Sequence, residues 1–107
     1  MGMEFVETAI FTKKSAVLLP DDSYKELQET LILQPRAGDL IPAGGGLRKV
    51  RWRGSDTGKR GGLRIIYYWD MPYQVIFMLY AYKKGEQEDL TPVQLKMLRN
   101  AVKEGLA

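Results

Sequence analysis

Residues 63–82 read Leu-Arg-Ile-Ile-Tyr-Tyr-Trp-Asp-Met-Pro-Tyr-Gln-Val-Ile-Phe-Met-Leu-Tyr-Ala-Tyr. The segments 63–69 and 74–82 are rich in β-branched and aromatic residues, and the Asp70-Met71-Pro72 stretch between them is typical of a turn. Before them, residues 47–53 alternate between two sets of side chains, which is the period of a strand. We therefore predict three consecutive antiparallel strands joined by turns, a meander.

The chain before the meander predicts one strand and two helical segments. Residues 4–11 form a short run of β-branched and aromatic residues, which favours a first strand. Ser23 and Glu26 have the spacing of a capping box, and the apolar residues that follow predict an amphipathic helix closed by Pro35. Residues 13–19 favour a shorter helical piece before that helix.

A further helix is predicted after the meander. Thr91, Pro92 and Gln94 supply an N-cap, a first-turn proline and a capping-box glutamine. Residues 36–46 hold four glycines and a proline and predict a connector. The order β-α(-α)-β-β-β-α indicates one α+β domain over residues 1–107. We expect an antiparallel sheet of about four strands, N-terminal helices packed on one face, and a C-terminal helix.

The composition excludes several kinds of chemistry. The chain has 107 residues, of which 45% are hydrophobic and 27% charged, as in ordinary soluble globular proteins. It contains neither Cys nor His, so disulfide frameworks, Cys/His zinc sites, thiol nucleophiles and histidine-based acid–base pairs are excluded. Acid–base chemistry would have to use Lys, Arg, Tyr, Asp or Glu. With no export signal and no apolar run long enough to span a bilayer, we expect a cytoplasmic protein with no membrane partner.

Positive charge is concentrated in one part of the chain. Residues 48–64 contain one acidic residue and seven basic ones, a local balance of +6, whereas the rest of the chain balances at −3. The basic residues are Arg48, Lys49, Arg51, Arg53, Lys59, Arg60 and Arg64. A local excess of this kind indicates a surface for a polyanion. An equally acceptable interpretation is a solvated face of long side chains.

Strand alternation predicts which side chains share a face. One side of the first meander strand carries Leu47, Lys49, Arg51 and Arg53. One side of the second strand carries Arg64, Ile66 and Tyr68, and one side of the third carries Ile76, Met78, Tyr80, Tyr82 and Lys84. If these sides coincide, they form a patch of cations and phenols that suits a phosphate backbone and unpaired bases.

Arg64 is the cation that we expect to be functional, because it lies in mid-strand between Leu63 and Ile65 and needs a partner there. The alternative is an arginine whose charged end reaches solvent from an edge strand. For each tyrosine near Arg64, the alternative to a platform on which bases stack is a residue of the core or its rim.

Two glycine-rich or acidic segments do not predict cofactor sites. The 54–62 segment, expected to be a hairpin loop with Lys59 and Arg60 at its tip, lacks the glycine spacing and the Ser or Thr of a Walker motif. Glu86, Glu88 and Asp89 precede a predicted helix, where negative charge is stabilised by the helix dipole, so we prefer capping to metal binding. We expect neither a metal nor a cofactor.

Four segments resemble, in order and spacing, the RelE/HigB family of toxins from bacterial toxin–antitoxin modules. The segments are Gly46-Leu-Arg-Lys-Val-Arg51, Gly58-Lys-Arg-Gly-Gly-Leu-Arg-Ile-Ile-Tyr-Tyr68, Tyr82-Lys-Lys84 and Asp89-Leu-Thr-Pro-Val-Gln-Leu95. The resemblance covers about residues 3–105 and is greatest to the HigB branch of the RelE/ParE superfamily, whose antitoxin is a helix-turn-helix protein.

The resemblance implies a metal-independent endoribonuclease that cuts messenger RNA in the ribosomal A site. It also implies a toxin that is monomeric when free. Its partners would be mRNA, the ribosome with its 16S rRNA, and a cognate HigA-type antitoxin that neutralises it. The catalytic candidates that it implies are Arg64, Lys49, Lys84 and Tyr82. The RNA-binding candidates are Arg51, Arg53, Lys59, Arg60, Tyr68 and Lys83.

One departure from the family pattern leaves the proton-transfer roles open. Some RelE-type toxins carry a catalytic tyrosine shortly after the last strand, and residues 86–90 contain none. Tyr82, Lys84 or Lys49 would then act as acid or base, or ribosomal RNA would supply more of the catalysis. Without histidine, the site needs a lysine of lowered pKa or cations that stabilise the transition state. Two other functions remain open: a ParE-type gyrase inhibitor and an RNA- or ribosome-binding module without catalysis.

Overall fold

The protein is an α+β structure in which three helices pack on a five-stranded sheet. The structure is a computed structural model and describes residues 2–54 and 62–105. In chain order the elements are β1 (Glu4–Glu7), α1 (Ala9–Leu18), α2 (Asp21–Leu33), β2 (Asp39–Leu40), β3 (Arg48–Trp52), β4 (Leu63–Asp70), β5 (Val75–Lys83) and α3 (Pro92–Lys103). The predicted fold class is confirmed.

The predicted meander forms the centre of the sheet. The strand order is β1-β5-β4-β3-β2, and β3, β4 and β5 pair antiparallel as predicted. Two features differ from the expected antiparallel sheet of about four strands. First, β1 pairs with β5 in parallel, and the whole chain between them serves as the crossover connection. Second, two residues of the predicted connector form β2, which pairs with the edge of β3.

The helices cover both faces of the sheet. α1 and α2 pack on one face, where the buried cluster is Phe11, Leu18, Leu19, Leu27, Leu31, Leu63, Ile65, Tyr67, Ile76, Met78 and Ala81. α3 packs on the other face, where the cluster is Leu47, Ile66, Leu79, Tyr80, Tyr82 and Leu98. Below, these are the α1/α2 face and the α3 face. A sheet buried on both sides explains why β4 is an almost continuous apolar run rather than a simple alternation.

Both N-terminal helices begin at different residues from those expected. Thr8 ends β1 and caps α1, because its Oγ1 accepts a hydrogen bond from the Phe11 amide at 3.0 Å and donates one to the Leu79 carbonyl at 2.8 Å. Residues 9–11, predicted as strand, are therefore helical. α2 begins at Asp21, so Ser23 lies within its first turn. The predicted capping box at Ser23 is wrong: its hydroxyl accepts a hydrogen bond from Trp52 Nε1 at 2.9 Å instead.

A bulge in β5 changes the faces of its side chains. The register with β4 shifts between Ile66 and Tyr67, whose partners are Tyr80 and Met78, so Leu79 is the extra residue. As a result Met78 points to the α1/α2 face and Tyr80 to the α3 face. The prediction that Ile76, Met78, Tyr80 and Tyr82 share one side is wrong, because strict alternation fails at one added residue.

The start of α3 agrees with the prediction. The Thr91 side chain accepts from the Gln94 amide, and the Gln94 side chain accepts from the Thr91 amide, which together form a capping box ahead of Pro92. This geometry fixes where α3 enters the sheet. Within residues 2–54 and 62–105, no helix has the length and apolarity needed to cross a membrane.

Candidate functional site

The sheet register places three of the predicted site residues in one row. Arg51 of β3 lies opposite Arg64 of β4, which lies opposite Tyr82 of β5. Residues directly opposite on neighbouring strands share a face, with Cβ atoms about 5 Å apart. The row belongs to the α3 face, because Tyr82 contributes to that cluster. Two residues along β3, Lys49 lies opposite Ile66 and in line with Tyr80 on the same face.

Arg64 is a buried cation on the central strand of the sheet. Only 8% of the residue is exposed, and Nη1 lies 3.4 Å from the Leu63 carbonyl oxygen, one of several contacts of this side chain. Because β4 has neighbours on both sides, the alternative of an arginine on an edge strand is wrong. A guanidinium held in this way keeps its charge and presents fixed donors to an anion.

Lys49 forms an ion pair with Asp89, in the loop before α3. The distance from Lys49 Nζ to Asp89 Oδ1 is 2.6 Å, and both side chains are accessible to solvent. The pKa of Asp89 lies below its ordinary value, because it accepts this hydrogen bond from Lys49 and lies near the charges of Lys49 and Arg64. Beyond the role at the helix N-terminus that we predict for it, Asp89 thus contacts a predicted site residue. We therefore add Asp89 to the site. Its place in the acidic segment before α3 was the only sequence signal for it.

Tyr82 is the buried end of the row, on β5. The residue is 1% exposed, and its hydroxyl has no hydrogen-bond partner among the residues that the structure describes. Burial raises the pKa of Tyr82, the carboxylate of Asp89 raises it further, and the Arg64 charge opposes both effects. The phenol is therefore neutral at physiological pH and retains a proton that it can donate.

Tyr80 connects the row to two helices. Its hydroxyl lies 3.4 Å from Gln94 Nε2 of α3, and its ring lies 5.9 Å from the Tyr82 ring. Lys14 of α1 places its ammonium 5.7 Å from the centre of the Tyr80 ring, a cation–π distance. No pattern in the sequence indicates Lys14 as a neighbour of the site, because only the tertiary fold brings α1 to this part of β5.

Two predicted RNA-binding residues lie away from the row. Tyr68 shares the α3 face, but it is four residues along β4 from Arg64, or about 13 Å. It is half-buried, stacked on Phe77 with 6.5 Å between ring centres. Lys83 lies opposite Leu63, whose side chain is in the α1/α2 cluster, so Lys83 belongs to the opposite face. Tyr68 therefore shares the predicted face with Arg64 but lies outside the row, and the RNA-binding candidate Lys83 lies on the other face.

The remaining predicted residues lie at the margin of the row. Lys84 is exposed one residue beyond β5, and its amide donates to the Gly62 carbonyl at 3.3 Å. Arg53 is exposed just beyond β3, with its carbonyl accepting from the Ser23 hydroxyl at 3.2 Å. Lys59 and Arg60 lie outside the described residues.

We name the whole assembly the Arg64 site, consisting of Lys49, Arg51, Arg64, Tyr80, Tyr82 and Asp89. A buried guanidinium and a neutral phenol lie on strands next to the accessible cations of β3, an arrangement that attracts an anion and offers it hydrogen-bond donors. Over the described ranges, no three His, Cys, Asp or Glu side chains are grouped so that they could hold a metal ion. Compared with known protein families, the chain matches no family model.

Proposed function

We propose that the protein is a ribosome-dependent mRNA endoribonuclease, a cytoplasmic toxin of RelE/HigB type neutralised by a helix-turn-helix antitoxin. The observation that carries this proposal is the row Arg51–Arg64–Tyr82, with Lys49 beside it. Cations from separate strands converge on one face, as a phosphodiester-cleaving site without histidine requires. The family resemblance of residues 46–95 supplies the ribosome and the antitoxin as partners.

The reaction is an attack within the RNA chain. The 2′-oxygen of one nucleotide bonds to the adjacent phosphorus while the bond from phosphorus to the 5′-oxygen of the next nucleotide breaks. The products are a 2′,3′-cyclic phosphate and a free 5′-hydroxyl. The 2′-hydroxyl loses its proton, the 5′-oxygen gains one, and extra negative charge builds up on the phosphorane oxygens between these events. Stabilising that charge is the main demand on the protein.

Arg64 and Arg51 meet this demand as neighbouring cations. Arg64 is buried and held in place, so its guanidinium needs little reorganisation to bind the phosphorane. Arg51, which is exposed on the adjacent strand, can approach a second phosphate oxygen. A phosphate arriving at the site also competes with the Asp89 carboxylate for Lys49, since both are anions for the same ammonium.

Tyr82 is the residue best suited to protonate the leaving oxygen. Its phenol is protonated at neutral pH, and its hydroxyl has no hydrogen-bond partner within the described part of the chain. The nearby Arg64 charge opposes the rise of the Tyr82 pKa that burial causes, and so favours release of the proton. A general acid requires a proton held until the leaving group needs it. Lys84, exposed past the end of β5, adds positive charge at the margin.

The test is to map mRNA ends in cells after induction of the protein. Cuts are expected in translated messages and absent from the same messages with the start codon removed. The variant Arg64→Ala should abolish cleavage and growth arrest. Lys25→Ala, at an exposed lysine on α2 across the sheet, should retain both.

Two other outcomes would contradict the proposal. Growth arrest without mRNA cleavage, accompanied by inhibition of DNA supercoiling, would identify a gyrase inhibitor. Stable ribosome binding without cuts would identify a binding module. Circular dichroism of purified Arg64→Ala protein controls for misfolding, since Arg64 is buried.

A further inference from the structure

A cavity of about 350 Å³ lies on the α3 face, toward the end of β4 that is away from Arg64. It is lined by Gly45, Leu47, Tyr68, Asp70, Phe77, Arg99, Val102, Lys103 and Gly105. Tyr68 and Arg64 are four residues apart on β4, about 13 Å. The volume is at the lower end of the range for small-molecule sites, about 300–1,000 Å³. The cavity is thus large enough for one small ligand, and the mechanism proposed above does not use it.

Two cations of α3 stand at this cavity. Arg99 and Lys103 are one turn apart on the helix, and both are exposed. The facing loop comes close to Arg99: a Cβ on Gly45 would lie 3.3 Å from Arg99 Nε, and Gly45 has a φ of +63°. A glycine at this position gives the guanidinium room beside the loop backbone. Paired cations at the mouth of a cavity are suited to a phosphate group.

The floor of the cavity is apolar and aromatic. Leu47 is fully buried, and Tyr68 and Phe77 stack with an interplanar angle of 27°. Gly46 leaves room for the Tyr68 ring, because a Cβ at this glycine would lie 2.8 Å from Tyr68 Cε1. Such a wall favours a flat, apolar ring. Asp70 adds a carboxylate that can accept hydrogen bonds from hydroxyl or amino groups.

We propose that this cavity is a second nucleotide-binding site. Arg99 and Lys103 would hold the phosphate, the base would lie against the Tyr68 and Phe77 side, and Asp70 would accept from the ribose or an exocyclic amine. A single nucleotide carries all three groups that the lining matches: an anion, a flat ring and hydrogen-bond donors. The site goes beyond the proposed nuclease activity and does not depend on it. The nucleotide is either free in solution or one residue of an RNA strand.

Residue-resolved NMR titration of the full chain with 5′-AMP tests this site. The expected result is chemical-shift change at the amides of Tyr68, Phe77 and Val102, with binding weakened at least about tenfold by Arg99→Gln. Lys96→Gln is the matched control: it removes the same charge from an exposed position on the same helix, outside the cavity lining. Both variants are surface changes, and thermal unfolding of each verifies that the fold is retained.

Two further probes decide between ligand classes and sources. Inorganic phosphate and adenosine, titrated separately, should each bind more weakly than 5′-AMP. A four-nucleotide RNA with 2′-O-methyl groups cannot be cleaved. If the nucleotide belongs to a strand, this RNA should change the amide chemical shifts of the cavity and of the Arg64 site together. If 5′-AMP binds at least as tightly as this RNA, the ligand is a free nucleotide. Either result supports the site.

Three outcomes would overturn the proposed site. Inorganic phosphate could bind as tightly as 5′-AMP, the chemical-shift changes could be confined to the Arg64 site, or Arg99→Gln could leave the affinity for 5′-AMP unchanged. The result is separable from the nuclease proposal, because Arg64→Ala should lose cleavage and retain 5′-AMP binding in the cavity.

Discussion

At the scale of single residues, the Tyr82 hydroxyl is the least satisfied group of the candidate site. It is buried next to Arg64 and lacks a hydrogen-bond partner in the described ranges. A buried polar group without a partner costs stability, so its presence needs an explanation. The proposed proton donation to RNA would supply one, because the partner would then be the substrate.

The variant Tyr82→Phe separates the stability cost of the buried hydroxyl from its proposed role in proton donation. It removes only the hydroxyl, so the free energy of unfolding should be unchanged or slightly higher. If the phenol protonates the leaving oxygen, cleavage should fall by about 100-fold or more. Tyr73→Phe, at an exposed tyrosine in the β4–β5 turn, is the matched control and should alter neither quantity. Unchanged cleavage by Tyr82→Phe would show that Tyr82 has only a packing role.

The Lys49–Asp89 ion pair makes stability depend on pH in a defined direction. The pKa of Asp89 is lowered in the folded protein from its ordinary value of 3.8. Its contribution is therefore complete above that value and is lost as the pH falls through the lower folded pKa. Asp89→Asn should be less stable than the natural chain at neutral pH, and the difference should shrink in acid.

Urea unfolding at about pH 6 and about pH 3 measures this difference. Glu86→Gln, in the same loop, controls for the loss of a negative charge. An effect of Asp89→Asn that is the same at both pH values would contradict the ion pair. The size of the effect is expected to be small, because both side chains are accessible to solvent.

At the scale of elements, the first turn of α3 links the fold to the site. Thr91 and Gln94 close the capping box, and Gln94 also reaches the Tyr80 hydroxyl. The loop that carries Asp89 ends at this cap. Stability of the helix start and geometry of the Arg64 site therefore depend on the same residues.

Thr91→Ala should lower the free energy of unfolding by about 1 kcal/mol, since it leaves the Gln94 amide without its acceptor. Thermal or urea denaturation measures the loss. Asn100→Ala, at an exposed position of the same helix, should cause no loss, because alanine has the higher helix propensity. Equal effects of the two substitutions would argue against the capping box.

The β5 bulge shows why strand patterns alone did not fix the site. Counting by two from Ile76 places Tyr80 and Tyr82 with Met78, and the structure separates them at Leu79. The same bulge turns both tyrosines toward the α3 face, where Arg64 lies. Nothing in the composition of residues 75–82 marks the extra residue, because every candidate position is apolar or aromatic.

At the scale of the whole molecule, the sheet brings three cations from two strands to one face. Lys49, Arg51 and Arg64 share the α3 face, whereas the α1/α2 face carries the larger apolar core. Single-stranded RNA that binds these cations releases counterions, so affinity should fall with salt concentration.

Arg51→Gln should make the salt dependence of RNA binding shallower, by about 0.7 in the slope of log K against log salt if Arg51 neutralises one phosphate. Fluorescence anisotropy with a non-cleavable RNA across a salt series gives the slope. Lys25→Gln, on α2 and therefore beyond the opposite face, should keep the natural slope. Equal slopes for all three proteins would show that Arg51 does not bind phosphate.

The sequence was enough to predict the meander, the helix start at Thr91 and the placement of Lys49 and Arg51 on one side of β3. Those features depend on local chemistry and on a period of two, both of which can be counted along the chain. The tertiary structure alone decided that β1 pairs in parallel, that β5 carries a bulge, and that Asp89 and Lys14 approach the site. These depend on contacts between distant segments, whose energies are set by packing in three dimensions and leave no periodic signal in the residues concerned.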